Sequence, residues 1–198
     1  MKIGVTALKG GVGKSTVSFH LAAALAKAYD VLLVDADPQA SIMAANSLRE
    51  RPHIYKVQQA PRVHVETFLK GLDYPMIVID SPPRTDAIAR AVIAASDLVI
   101  IPITPGPFEV LAFDDLQPLL ADKDKVRILL NRTNQTAISK SMRDTIGGLG
   151  IQVFETELPM LVDYQDSITQ GLGVTEFKTG SVAAQRIRSL MQEILKNG

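Results

Sequence analysis

The sequence predicts an α/β fold, a doubly wound and mainly parallel sheet with helices on both faces. Three observations lead there. Short runs rich in Val and Ile alternate with helical patterns along the chain. Each run is almost continuously apolar, as a parallel strand covered on both faces requires. No repeat, low-complexity tract or long linker divides the 198 residues. One domain over 1–198 is therefore expected, at a length that buries a sizeable core.

Taken in order, "KIGVTA" (2–7) reads as the first strand and 14–28 as a helix. "DVLLVDA" (30–36) is the second strand. Residues 50–66 are weaker, with a strand around His53–Val57 leading to a short helix from Pro61. "YPMIVID" (74–80), "DLVIIPIT" (97–104) and "KVRILLN" (125–131) are further strands. Helices are expected over 85–96, 114–120 (begun by Asp114 and Asp115), 137–149 and 181–198. Strand–helix alternation of this kind implies right-handed crossovers. Pro82 and Pro83 should turn the chain out of its strand, since proline has no N–H to extend a ladder.

Composition narrows the class. With 46% apolar residues, 21% charged residues and zero formal net charge, the chain is neither disordered nor bulk-basic. No apolar run reaches the roughly 20 residues of a membrane span, and no signal peptide precedes the first strand. A cytoplasmic location is expected. The absence of cysteine excludes disulfides, thiolate metal sites and iron–sulfur clusters. His20 reads as a packed helix residue, and His53 and His64 are not spaced as a metal pair.

The chemistry concentrates in "LKGGVGKST" (8–16), between an apolar strand and a strong helix pattern. The pattern G-x-x-x-x-G-K-[ST] fails only at its first glycine, where Leu8 stands with Lys9 behind it. Gly10, Gly11 and Gly13 let the backbone curl around Val12 with its N–H groups turned inward. The helix that follows adds its positive end. Lys14 is placed to reach the β- and γ-phosphates of a nucleotide, Ser15 to put its hydroxyl on Mg²⁺, and Thr16 to complete the loop. The fold expected is thus P-loop NTPase-like.

Lys9 through Ser15 match K-G-G-x-G-K-[ST] without a gap, and here the chain resembles the deviant Walker-A ATPases that include ParA, Soj and MinD. The resemblance implies that Lys9 crosses a two-fold interface to the phosphates held by a partner subunit, making dimerisation depend on ATP. Read from residues alone, a solvated surface lysine is the lesser alternative for Lys9. "VLLVDADPQAS" (31–41) looks like the family's second box. By that likeness Asp35 holds water on Mg²⁺, Asp37 positions the attacking water, and Pro38 and Gln39 belong to the first switch. The residues themselves also allow Asp37 to cap a helix from Pro38. "MIVIDSPPRTD" (76–86) matches the Walker-B strand, with Asp80 on Mg²⁺ through water and Ser81, Pro82 and Pro83 in the second switch. Asn131 matches the adenine-reading asparagine, whose amide both donates and accepts. Pro159, in "ELPM" (157–160), lies in the segment whose backbone rests against the base.

Relatives in this family segregate DNA, place division sites, position organelles or reduce nitrogen. Lack of cysteine excludes the nitrogenase iron-protein branch. The ATPase pattern begins at residue 2, so no upstream helix-turn-helix is expected, as in the small ParA-type plasmid partition ATPases. Charge is uneven. Lys123, Lys125, Arg127, Arg132, Lys140 and Arg143 face only Asp124 over 123–143, and Lys178, Arg186, Arg188 and Lys196 face only Glu193 over 178–198. Together they could form a face for the phosphate backbone of DNA, with Arg186 and Arg188 as candidates, or simply a solvated surface. The last helix carries Ile187, Leu190, Met191, Ile194 and Leu195 at helical spacing, which reads better as core packing than as a membrane anchor.

The expectation is an ATPase using ATP and Mg²⁺ that forms an ATP-dependent homodimer, binds DNA nonspecifically on the nucleoid and is reset with a centromere- or cargo-binding adaptor protein. A MinD-like membrane-associated ATPase and a positioner of a non-DNA cargo are the alternatives.

Overall fold

In the computed structural model, residues 1–7, 9–83, 87–106, 123–134, 137–148 and 150–197 are described. The helix expected over 114–120, with Asp114 and Asp115, lies outside them, as does Leu8. The strands are β1 (Lys2–Ala7), β2 (Val31–Asp35), β3 (Lys56–Gln59), β4 (Met76–Pro83), β5 (Leu98–Ile103), β6 (Val126–Thr133), β7 (Gln152–Val153) and β8 (Leu158–Pro159). The helices are α1 (Lys14–Leu25), α2 (Ser41–Ser47), α3 (Val65–Gly71), α4 (Ala87–Ala95), α5 (Ala137–Gly148), α6 (Val162–Ile168), α7 (Val174–Phe177) and α8 (Val182–Asn197). The strands pair in the order β3-β2-β4-β1-β5-β6-β7, with β8 beside β6. Every described pairing is parallel. This is the doubly wound sheet that the sequence predicts.

The alternation of side chains explains the two layers. Val31 and Leu33, Met76 and Val78, and Leu98 and Ile100 point to one face and pack with α1 and α8. Leu32, Val34, Ile77 and Ile79 point to the other, against Leu69 of α3 and Val92 of α4. Val99, Ile101, Ile128 and Leu130 extend that second face under Met142 and Ile146 of α5. Gly4 of β1 allows α4 to lie close, because a β-carbon there would stand 2.5 Å from Ser96 Oγ.

Three expectations need correction. The weak strand near His53–Val57 forms later, at Lys56–Gln59, and the helix after it begins at Val65 rather than at Pro61. The turn expected at Pro82 and Pro83 does not occur within β4, which runs to Pro83. The register with β1 shifts between Val5 and Ala7, so the prolines sit where the ladder is already irregular. The basic run 123–143 does not make one face either. Lys123, Lys125 and Arg127 sit at the start of β6 and Arg132 at its far end, so Arg127 and Arg132 are about 17 Å apart along the strand. Arg143 is spent on the carbonyl of Phe154 (2.6 Å) and the carboxylate of Glu157 (2.9 Å).

α1 is buried along almost its whole length, and His20 ties it to the C-terminal quarter. The backbone N–H of Val174 donates to His20 Nδ1 (3.1 Å), which fixes the ring proton on Nε2, and Nε2–H donates to the carbonyl of Tyr164 (3.1 Å). Burial pushes the His20 pKa down from 6.5 to about 4, against the pull of the Tyr164 carbonyl. The folded ring is therefore neutral, while the unfolded ring takes up a proton below pH 6.5. Stability is lost as pH falls from 6.5 toward 4. Relative to a His20→Gln variant, wild type should lose about 2 kcal/mol between pH 7 and pH 5. Urea unfolding of both proteins at the two pH values checks this, and the subtraction cancels the titration of other groups. Parallel loss in the two proteins would refute it.

A second tie is nearly dry. Arg49, whose side chain is 1% exposed, pairs with Glu176 at 2.7 Å and also donates to the carbonyls of Pro52 and Gly171. The Glu176 carboxylate in turn accepts the Gly173 N–H at 3.0 Å.

Candidate active site

The C-terminal ends of β1, β2 and β4 lie side by side, because Val5 pairs with Asp80 and Asp35 pairs with Asp80. Ligand crevices of α/β sheets form at such strand ends. The chain leaves β1 through a glycine loop in which Gly11 (φ +78°) and Gly13 (φ +92°) adopt left-handed backbone. That region is costly for any residue with a β-carbon. Lys9 and Gly10 are exposed at the tip, and Val12, Ser15 and Thr16 are half-buried. Gly13 caps α1 and accepts the Val17 N–H (2.9 Å), so the first N–H groups of the helix face the loop.

Beneath the loop the charged groups meet. Lys14 is 6% exposed; burial lowers its pKa, and the charges of Asp80 and Asp37 work against that shift. The Ser15 hydroxyl donates to Asp80 Oδ2 at 2.6 Å. Ser18, one turn further along α1, lies 3.0 Å from Asp80 Oδ1. Sequence reasoning missed Ser18, although its i+3 spacing from Ser15 places both on one helix face. Desolvation raises the Asp80 pKa to about 7, against the Ser15 and Ser18 hydrogen bonds and with help from the Asp35 charge. A hydroxyl and a buried carboxylate in contact offer the hard oxygen donors that suit Mg²⁺.

Asp35 and Asp37 divide their work unexpectedly. Asp35 is fully buried and accepts the backbone N–H of Asp37 (3.2 Å), Ile42 (3.0 Å) and Met43 (3.1 Å). Burial raises its pKa despite these bonds. Asp35, not Asp37, therefore satisfies the start of α2. Asp37 is 7% exposed, and its Oδ1 accepts the Gln39 N–H at 2.9 Å, closing a tight turn. The next residue, Ala40, has φ +54°.

On the other side of the loop, Asn131 is buried toward the end of β6, and its Nδ2 donates to the Val12 carbonyl at 2.7 Å. Gly13 must be glycine here for a second reason, since a β-carbon would run into Asn131 Nδ2. Pro159 reaches the site because β8 pairs with β6. Gly13, Thr16, Asn131, Arg132, Pro159, Met160, Tyr164 and Gln165 line one cleft. Glu193 of α8 holds the approach to β8 by accepting the N–H groups of Glu155 (2.7 Å) and Thr156 (3.0 Å). Arg186 and Arg188 stand apart on α8. Arg186 is exposed, while Arg188 donates to the Thr179 carbonyl at 2.8 Å.

The profile of the CobQ/CobB/MinD/ParA nucleotide binding domain matches residues 3–174. Maintenance of carboxysome distribution protein A of Halothiobacillus neapolitanus is 27% identical, over 98% of this chain and 95% of that protein. Chromosome-partitioning ATPase Soj of Thermus thermophilus is 26% identical over the same two shares. Among solved structures, the septum site-determining protein MinD of Pyrococcus horikoshii, complexed with Mg-ADP, superposes with a TM-score of 0.73. That match has 19% identity and covers 98% of this chain and 95% of that one, so it speaks to the fold.

Proposed function

The chain belongs to the CobQ/CobB/MinD/ParA family of nucleotide-binding domains, and from that premise we propose that it is a Mg²⁺-dependent ATPase that dimerises on ATP. As a dimer it holds DNA without reading bases, and hydrolysis stimulated by a cargo- or centromere-binding adaptor releases it. The observation that carries the reading is the convergence of Lys14, Ser15, Asp37 and Asp80 beneath a left-handed glycine loop, with Lys9 exposed at its tip.

The loop N–H groups and the start of α1 cradle the β- and γ-phosphates, and Lys14 neutralises them from below. Ser15 and Asp80 would hold Mg²⁺, with Asp35 behind a water. When bound, the ion supplies charge neutralisation on the β- and γ-phosphate oxygens. Asp37 orients the attacking water, and the turn closed on Gln39 sets the direction of its carboxylate. Asn131, Pro159 and their cleft receive the base. With one N–H on the Val12 carbonyl, the Asn131 amide keeps its second N–H and its Oδ1 for the base. Lys9 reaches the partner's nucleotide in the dimer.

The matrix is read as DNA because Arg186 and Lys196 are exposed on α8, and because one similar protein is named a chromosome-partitioning ATPase. A non-DNA cargo is the second reading, favoured by the likeness to a carboxysome distribution protein. A MinD-like membrane anchor finds less support. Ile187, Leu190 and Ile194 of α8 are buried in the core, and no helix among the described residues is long and apolar enough to cross a membrane.

Co-sedimentation with duplex DNA tests the matrix. Binding should require ATP, ignore base sequence and fall with salt at a log–log slope of about −0.9 per phosphate contact. Changing Arg186 and Arg188 together to Glu removes two contacts in each subunit of the dimer, and should flatten that slope by about 3.6 and leave ATP affinity unchanged. Wild-type DNA retention by the double variant would exclude Arg186 and Arg188 as the contacts.

A further inference from the structure

Gln59 ends β3, the edge strand, in register with Asp35 of β2. Its side-chain Nε2 donates to two backbone carbonyls, those of Asp35 (2.9 Å) and Asp37 (3.2 Å). Each carbonyl already accepts a backbone N–H, from Ala60 and Ala40 respectively. The amide therefore adds a second bond to each. Two carbonyl acceptors facing one amide also settle its orientation, because only the NH₂ end can serve both.

The turn held in this way carries Asp37 and ends at Ala40 in left-handed backbone, a conformation that a β-carbon resists. From inside, the Asp35 carboxylate gathers the N–H groups of Asp37, Ile42 and Met43. Those bonds join neighbours in sequence. Gln59 comes from the next strand and fastens the turn to the edge of the sheet.

We infer that Gln59 is a positioning residue for Asp37: its amide clamps the backbone on either side of Ala36 and so fixes where the Asp37 carboxylate points. The inference rests on the reading of Asp37 as the group that orients the attacking water. Gln59 is exposed, so substitutions there leave the core untouched. In Gln59→Glu a carboxylate would face two carbonyls with no proton to offer. In Gln59→Lys an ammonium can still donate to both.

The test is adaptor-stimulated or basal ATP turnover by the full chain, with kcat and KM for ATP resolved separately. Gln59→Glu should lower kcat about tenfold while KM moves less than about twofold, and Gln59→Lys should recover most of the rate. Added to Asp37→Ala, Gln59→Glu should cause no further loss in the residual single-turnover rate, because the clamp acts through Asp37. A wild-type kcat in Gln59→Glu overturns the inference and leaves the ATPase reading standing. So does a change confined to KM, or a loss that multiplies with that of Asp37→Ala. Absence of ATP turnover in the wild-type chain overturns both.

Discussion

Lys14→Ala is expected to abolish productive ATP binding and turnover, with kcat/KM lower by about a hundredfold or more. The ammonium stands almost sealed from solvent beside Asp80 and Asp37, so water cannot enter freely to take over its charge. The removal acts twice. The β- and γ-phosphates lose their cation, and two buried carboxylates lose the positive charge that offsets their mutual repulsion with the incoming nucleotide. Ser15 and the loop N–H groups remain, so weak binding of the adenosine end can survive without turnover. A fluorescent ATP analogue and a phosphate-release assay separate the two. Near wild-type affinity and rate in the variant would remove the phosphate-loop assignment.

Lys9→Ala should produce the opposite split. Lys9 is exposed at the loop tip, and Lys14, Ser15 and the loop N–H groups remain without it, so a monomer lacking it should bind ATP nearly as wild type does. The loss should appear in assembly. Two polyphosphates buried face to face without the crossing cation leave uncompensated charge worth several kcal/mol, enough to cancel an ATP-induced dimer. Light scattering with and without ATP reads this directly, and turnover should fall with the dimer. Mixing gives the sharper form. Lys9→Ala subunits combined with Lys14→Ala subunits form pairs in which the ATP held by the first meets the intact Lys9 of the second. Turnover in the mixture, absent from either variant alone, supports service across the interface. A Lys9→Ala protein that dimerises and hydrolyses normally makes Lys9 a surface lysine.

The positions of the residues proposed to hold the phosphates were legible in the sequence because their spacing is a direct consequence of local geometry. A strand end followed by glycines and a helix start puts Lys14 and Ser15 where they are found. A carboxylate after four apolar residues of a buried strand likewise puts Asp80 opposite them. The roles around Asp35 were less legible. Its carboxylate turns to the N–H groups of α2, and that depends on a helix whose seven residues carry too little apolar periodicity to announce it. Gln59 was invisible for a related reason, since its partners lie across a strand pairing whose position the sequence misjudged by about three residues. The short helices α6 and α7 were missed as well. They owe their form to packing against α1, through contacts such as Tyr164 and Val174 with His20, rather than to any helical signal of their own. The basic residues of 123–143 were near one another in sequence, but β6 carries Arg127 and Arg132 to opposite ends of the strand.

The sealed imidazole of His20 offers something beyond stability. A ring proton confined to Nε2, bonded to a carbonyl and screened from water on every side, exchanges with solvent only when α1 and α6 part. Its low-field proton resonance is thus a native label midway along the helix that begins at Lys14. Following that signal while nucleotide, adaptor or DNA is added would time the loosening and tightening of the molecule in solution, with no dye attached and no residue changed.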